Sequence, residues 1–193
     1  MKIFISLVLI MHALWGWELD HKVHNDDSGF WGIHDEVAIA SAIGIVGLAL
    51  YEGTQSRLGK TTWQSLDAGV LSQLLATLAK ESTGRKRPKD AQSPYEWGEG
   101  GKSFFSGHTS GMTALVTPYV LEYQKDTPWI HLLWLLPLHQ MVGRVKAQEH
   151  WQSDVLAGAI AGFASGYYAS KRDYPFLLYF DRDKIFTGLK YRF

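Results

Sequence analysis

The 193-residue sequence contains no cysteine. That absence excludes disulfide frameworks, thiolate metal sites and cysteine nucleophiles, and it is compatible with export across a membrane. Net charge is also missing, because nineteen basic and nineteen acidic residues cancel. With no global field to draw nucleic acid, any anion site has to be local. There is no internal repeat, low-complexity tract or interdomain linker, and no alternating strand pattern before the C-terminal tail. The length suits one domain able to bury a core unaided. Aromatic residues, by contrast, are abundant at 13%, with eight tryptophans. Such a content suits a membrane interface or a well-packed helical core equally.

Met1 to Gly16 carries one positive charge followed by a short apolar stretch, which reads as a signal peptide or, failing cleavage, a first membrane helix. Residues 17–193 then form a single domain. His21 to Glu36 gathers three histidines, three aspartates and a glutamate, but their spacing matches no metal-ligand pattern and the stretch reads as a polar lead-in. Val37 to Tyr51 is an uncharged apolar run that predicts a buried helix, with Asp35 and Glu36 favouring its N-terminus. From Thr61 to Lys80, Leu66, Val70, Leu71, Leu74, Leu75 and Leu78 recur at helical spacing, with Gln64, Asp67, Gln73 and Thr77 on a more polar side. Thr109 to Glu122, Trp129 to Val142 with a kink expected at Pro137, and Val155 to Ser170 complete the helices. The predicted class is all-α, a helical bundle of about five to six helices.

Three short stretches carry the chemistry. In GRVKAQEHWQSD, from Gly143, Asp154 follows His150 by four residues. If His150 opens the last helix, both lie on one face, where the carboxylate can hold one ring nitrogen and leave the other as nucleophile or base. Arg144, on the preceding turn, supplies a planar cation suited to phosphate. In KESTGRKRP, Gly84 and Pro88 end the preceding helix between Lys80 and Arg87, so these two cations can converge on one anion from different directions. In SFFSGHTSG, Ser106 caps a helix start, Gly107 permits close backbone approach and His108 stands at the rim of the free N–H groups.

Together the three stretches resemble the signature of the PAP2 (type 2 phosphatidic acid phosphatase) superfamily, which also contains bacterial acid phosphatases and vanadium haloperoxidases. The family pattern KxxxxxxRP, PSGH and SRxxxxxHxxxD reads here as KESTGRKRP, FSGH and GRVKAQEHWQSD, with Phe105 in place of the proline and Gly143 in place of the serine. The resemblance implies a metal-independent phosphatase without a cofactor, acting on a phosphomonoester or diphosphate. It implies that His150 is the nucleophile and carries a phosphohistidine, that Asp154 orients it, and that His108 protonates the leaving oxygen. Lys80, Arg87, Arg144, Ser106 and Gly107 would bind the phosphate. The partner implied is a phosphorylated substrate, a lipid or a soluble ester, with a membrane surface as a further partner and nucleic acid as none. Alternatives are a haloperoxidase using the same anion cradle and a catalytically silent anion-binding protein.

The location follows from lengths. The uncharged runs Val37 to Tyr51 and Val155 to Ser170 are 15 and 16 residues, about 23 Å of helix against a hydrocarbon core of about 30 Å. With a mean hydropathy of -0.10, this favours an exported enzyme of the periplasm or cell envelope over an integral inner-membrane protein.

Overall fold

The computed structural model describes residues 19–172, 179–181 and 184–186. The expected leader, Met1 to Gly16, lies outside the described residues. The body is a helical bundle, with a short antiparallel strand pair in the tail, Tyr179–Asp181 (β1) and Lys184–Phe186 (β2). A single-turn helix α1 (Gly29–Gly32) precedes α2 (His34–Glu52), α3 (Arg57–Thr83), α4 (Gly107–Tyr123), a 3-10 segment (Pro128–Trp134), α5 (Leu135–Lys146) and α6 (Gln152–Ser170).

Local chemistry sets these limits. The Ser56 hydroxyl accepts the Gly59 N–H at 2.8 Å and starts α3. Gly84 ends it in the left-handed region (φ 56°), its N–H returning to the Lys80 carbonyl. Pro137 does not kink the helix as expected. It lies in the first turn of α5, where no helical N–H is needed, and the break falls earlier, between the 3-10 segment and α5. The interior proline is Pro118 in α4, beside a Leu115 carbonyl that accepts the Ser65 hydroxyl at 2.6 Å.

The centre is built from small residues. Ala68, Ala114 and Ala169 are fully buried and touch one another, and glycines along α6 let it approach α4 closely. A methyl group on Gly158 would come 2.7 Å from the Ser106 carbonyl oxygen, and one on Gly162 2.8 Å from Thr113 Cβ. Polar groups fill much of the remaining interior: Gln64, Ser65, Asp67 and Ser72 of α3 are all buried.

The large apolar side chains lie outside. Ile39, Ile43 and Leu50 of α2 are 59–68% exposed, and Val70, Leu74 and Leu78 of α3 are 52–58% exposed. The expectation that Val37 to Tyr51 forms a buried helix is therefore wrong. Its apolar surface is continuous around the helix, and such a pattern records an apolar environment without distinguishing protein from lipid. Lengths also change, because helices continue past their uncharged runs: α2 has 19 residues and α3 has 27. By length and composition, α2 is able to cross a membrane.

A test of this arrangement compares its two faces. Gly158→Leu is expected to destabilise the protein in detergent by about 1–3 kcal/mol or more, by forcing α6 from α4. Leu74→Ala, on the exposed face, should change stability by less than about 0.5 kcal/mol. Thermal or denaturant midpoints measure both, and a larger loss for Leu74→Ala would mean that protein covers this face.

Candidate active site

Three elements converge at one end of the bundle: the C-terminal turn of α3, the N-terminus of α4 and the loop between α5 and α6. Ser106 is fully buried, and its hydroxyl accepts the Thr109 N–H at 3.4 Å as the cap of α4. Its own N–H donates to the Asp154 carbonyl at 3.1 Å, fixing the loop before α4 against α6. Gly107 follows as the first helical residue. A methyl group there would come 3.2 Å from Lys80 Nζ, so the glycine lets the ammonium lie against the free N–H groups of the α4 N-terminus.

Lys80 has no hydrogen bond or ion pair among the described residues. Burial and the fields of Arg87, Arg144 and Lys102 push its ammonium below the ordinary lysine value. Arg144 is 5% exposed. Its Nη1 approaches Asp35 and the His34 Nε2, each at 3.1 Å, its Nη2 reaches Glu149 at 3.4 Å, and its buried Nε–H has no partner among the described residues. Arg87 donates to the same Glu149 carboxylate, which also accepts from Lys89. Glu149 therefore holds the two arginines together.

His150 does not open α6. It precedes Trp151, the cap residue, and α6 begins at Gln152. The expected partnership with Asp154 changes accordingly: His150 Nδ1 is 3.9 Å from Asp154 Oδ2, whereas it donates to the Ser103 carbonyl at 2.7 Å. Because a carbonyl can only accept, the proton is on Nδ1 and the lone pair on Nε2. Burial pushes the imidazole well below its ordinary value, and Arg144, Lys80 and Arg87 act in the same direction. A neutral ring with a free Nε2 is a competent nucleophile.

Asp154 acts one step behind. Its carboxylate accepts from Arg85, from the Ser103 hydroxyl and from the Trp151 N–H. It thus fixes the residue whose carbonyl holds His150. Burial pushes its carboxyl above the ordinary value, against Arg85, Ser103 and Trp151. Arg85 is 2% exposed, lies over the Trp97 ring at 4.4 Å, and also bonds Asp20 at 2.7 Å. Asp20 in turn accepts the Ser153 N–H at 2.7 Å. Spacing could not reveal Arg85, because it points away from the cradle formed by its neighbours in the motif.

His108 stands half-exposed in the first turn of α4, where burial and Arg144 lower its imidazole to about 4 against an upward pull from Asp35. His34 and Asp35, in the stretch expected to be a polar lead-in, also reach this region through Arg144. The sequence signal for this contact is the substitution at Gly143. A methyl group there would come 2.9 Å from His34 Cβ and 3.0 Å from the Trp31 carbonyl, so the start of α2 occupies the space of the missing serine side chain.

All eight expected site residues, Lys80, Arg87, Ser106, Gly107, His108, Arg144, His150 and Asp154, belong to this one region. The family model of the PAP2 superfamily matches residues 62–175, which include all of them. A curated relative, "Lipid A 1-phosphatase" of Porphyromonas gingivalis, is 30% identical over 117 residues, 60% of this chain and 24% of that protein. The chain thus aligns to about a quarter of the length of that relative. The fold is similar to the crystal structure of Aquifex aeolicus LpxE, with a TM-score of 0.55 and 19% identity over 74% of this chain and 86% of the other. The helical bundle and the three motifs agree with that match, and the chain belongs to the PAP2 superfamily.

Proposed function

We propose that this protein is a lipid phosphate phosphatase that works through a phosphohistidine, at a membrane. The observation that carries this reading is the continuity between the cradle and an apolar groove of about 540 Å³ between α2, α3 and α4. Lys80, Gly107 and His108 line its polar end, and Ile39, Leu66 and Leu115 line its apolar part. A phosphate held by the cations would lead its apolar chain into this groove. The Lys89 to Lys102 loop, on the Arg87 side, would meet the polar headgroup.

The chemistry follows from the atoms. Lys80, Arg87, the Arg144 Nε–H, the Ser106 hydroxyl and the Gly107 N–H bind phosphoryl oxygens and stabilise their developing charge. His150 Nε2 forms a bond to phosphorus as the bond to the leaving oxygen breaks, and His108 gives that oxygen a proton. Water then attacks phosphorus, His108 takes a proton back, and the nitrogen–phosphorus bond breaks to release inorganic phosphate and free His150. The name of the Porphyromonas relative supports a lipid phosphate as substrate, and the exposed apolar faces of α2 and α3 support contact with acyl chains. The latter favours membrane association, in line with the membrane surface expected as a further partner of an exported enzyme.

His150→Ala is expected to lower turnover about 10³-fold or more, and acid-labile phosphate trapped on the wild type should be absent from the variant. His108→Ala should cost about 100-fold on alkyl phosphates and much less on an activated aryl phosphate, whose leaving group needs no proton. Steady-state rates of phosphate release measure both. Equal losses on both substrate types would remove His108 from the acid role.

Two further outcomes test the lipid reading. Among alkyl phosphates, kcat/KM should rise by up to about fourfold per methylene until the groove is full. After alkaline carbonate washing, the protein should remain with the membrane fraction. Flat chain-length dependence, together with recovery in the supernatant, would point to soluble esters instead.

A further inference from the structure

Asp35 lies in the first turn of α2, outside residues 62–175 of the family match, with its side chain 54% exposed. One oxygen, Oδ1, is 3.3 Å from His108 Nε2 and 3.1 Å from Arg144 Nη1. His34 fixes its neighbourhood. The His34 Nδ1–H donates to the Trp31 carbonyl at 2.8 Å, so its Nε2 lone pair receives the Arg144 Nη1–H at 3.1 Å. Arg144 is thereby held beside the carboxylate.

An imidazole has two nitrogens, and a carboxylate against one of them decides the task of the other. The His108 Nε2 faces Asp35, whereas Nδ1 has no partner among the described residues. We propose that Asp35 is the positioning residue of the general acid: its carboxylate fixes the His108 ring through Nε2 and commits Nδ1 to the transfer of the proton. Asp35 would act through His108 and never touch the reacting atoms. The proposal rests on the phosphatase reading and adds a residue, supplied by α2, to which the family motifs assign no role.

The charges around His108 oppose its protonation, and Asp35 is the counter-charge among them. Burial, Arg144 and Lys80, from α5 and α3, and His34, from α2, all disfavour the imidazolium, and Asp35 opposes them. A phosphate dianion in the cradle adds negative charge nearby. Protonation for the chemical step therefore draws on two anions, one from the substrate and one from the protein.

Asp35→Asn keeps the shape and removes the charge. It is expected to lower kcat about 10-fold or more on alkyl phosphates, and less than about threefold on an activated aryl phosphate. Since Asp35 raises the His108 pKa, its loss should move the alkaline limb of the kcat profile for alkyl phosphates to lower pH by about one unit. Asp35→Glu should restore part of both effects. Nuclear magnetic resonance titration of His108, assigned with His108→Asn and recorded with inorganic phosphate bound, should show the same downward shift without any turnover. Equal losses on both substrates with an unmoved limb would overturn the proposal and make Asp35 a support for Arg144. If the wild type hydrolysed no phosphate, the phosphatase reading would fall separately. The titration would then still decide whether Asp35 acts on the His108 ring, and an unmoved His108 in Asp35→Asn would overturn that.

Discussion

The site depends on one buried carboxylate. Asp154 accepts from Arg85, which comes from the first motif region, from the Ser103 hydroxyl beside the second, and from the Trp151 N–H in the third. Its backbone carbonyl accepts the Ser106 N–H. All three stretches are therefore tied through one residue. A buried ion pair adds stability only when its remaining hydrogen-bonding capacity is satisfied, and leaving one charge of such a pair alone costs about 3–5 kcal/mol. Here Arg85 is met by Asp154, Asp20, Ser153 and the Pro94 carbonyl. Orientation of the His150 ring is thus a property of the folded network rather than of one His–Asp contact.

The bundle has an inverted distribution of polarity. Ser65 and Thr62 form internal hydrogen bonds while Ile43, Val70 and Leu74 face outward. Small residues at the α4–α6 contact give close backbone approach without bulky interdigitation. This kind of packing holds helices together where large apolar groups gain little by leaving their surroundings. The groove beside His108 opens among these outward faces, so the apolar exterior and the charged cradle meet there.

Much of this was legible in the sequence, and the limits have physical causes. The helices were readable because Gly84 and Ser106 mark ends chemically and the uncharged runs mark interiors. The cradle was readable because the stretches that carry Lys80, Arg87, His108, Arg144 and His150 resemble, in order, the signature of the PAP2 superfamily. The burial of Val37 to Tyr51 was misjudged, since hydropathy reports preference for an apolar medium and not its identity. His34 and Asp35 were missed because a tertiary contact more than a hundred residues long, against Gly143 and Arg144, has no local pattern. The Ser103 carbonyl was invisible for another reason: a backbone acceptor is the same for every residue type. It takes the hydrogen bond that the i to i+4 spacing had suggested for Asp154.

Glu149, next to His150, grips Arg87 and Arg144 through one carboxylate oxygen and Lys89 through the other. Long guanidinium side chains lose on the order of 2 kcal/mol of rotational freedom each when they are fixed. In this protein that ordering happens during folding, before any anion arrives. Under the proposed function, an arriving phosphate would find two guanidinium groups already constrained, leaving more of its binding energy for distinguishing the transition state from the ground state.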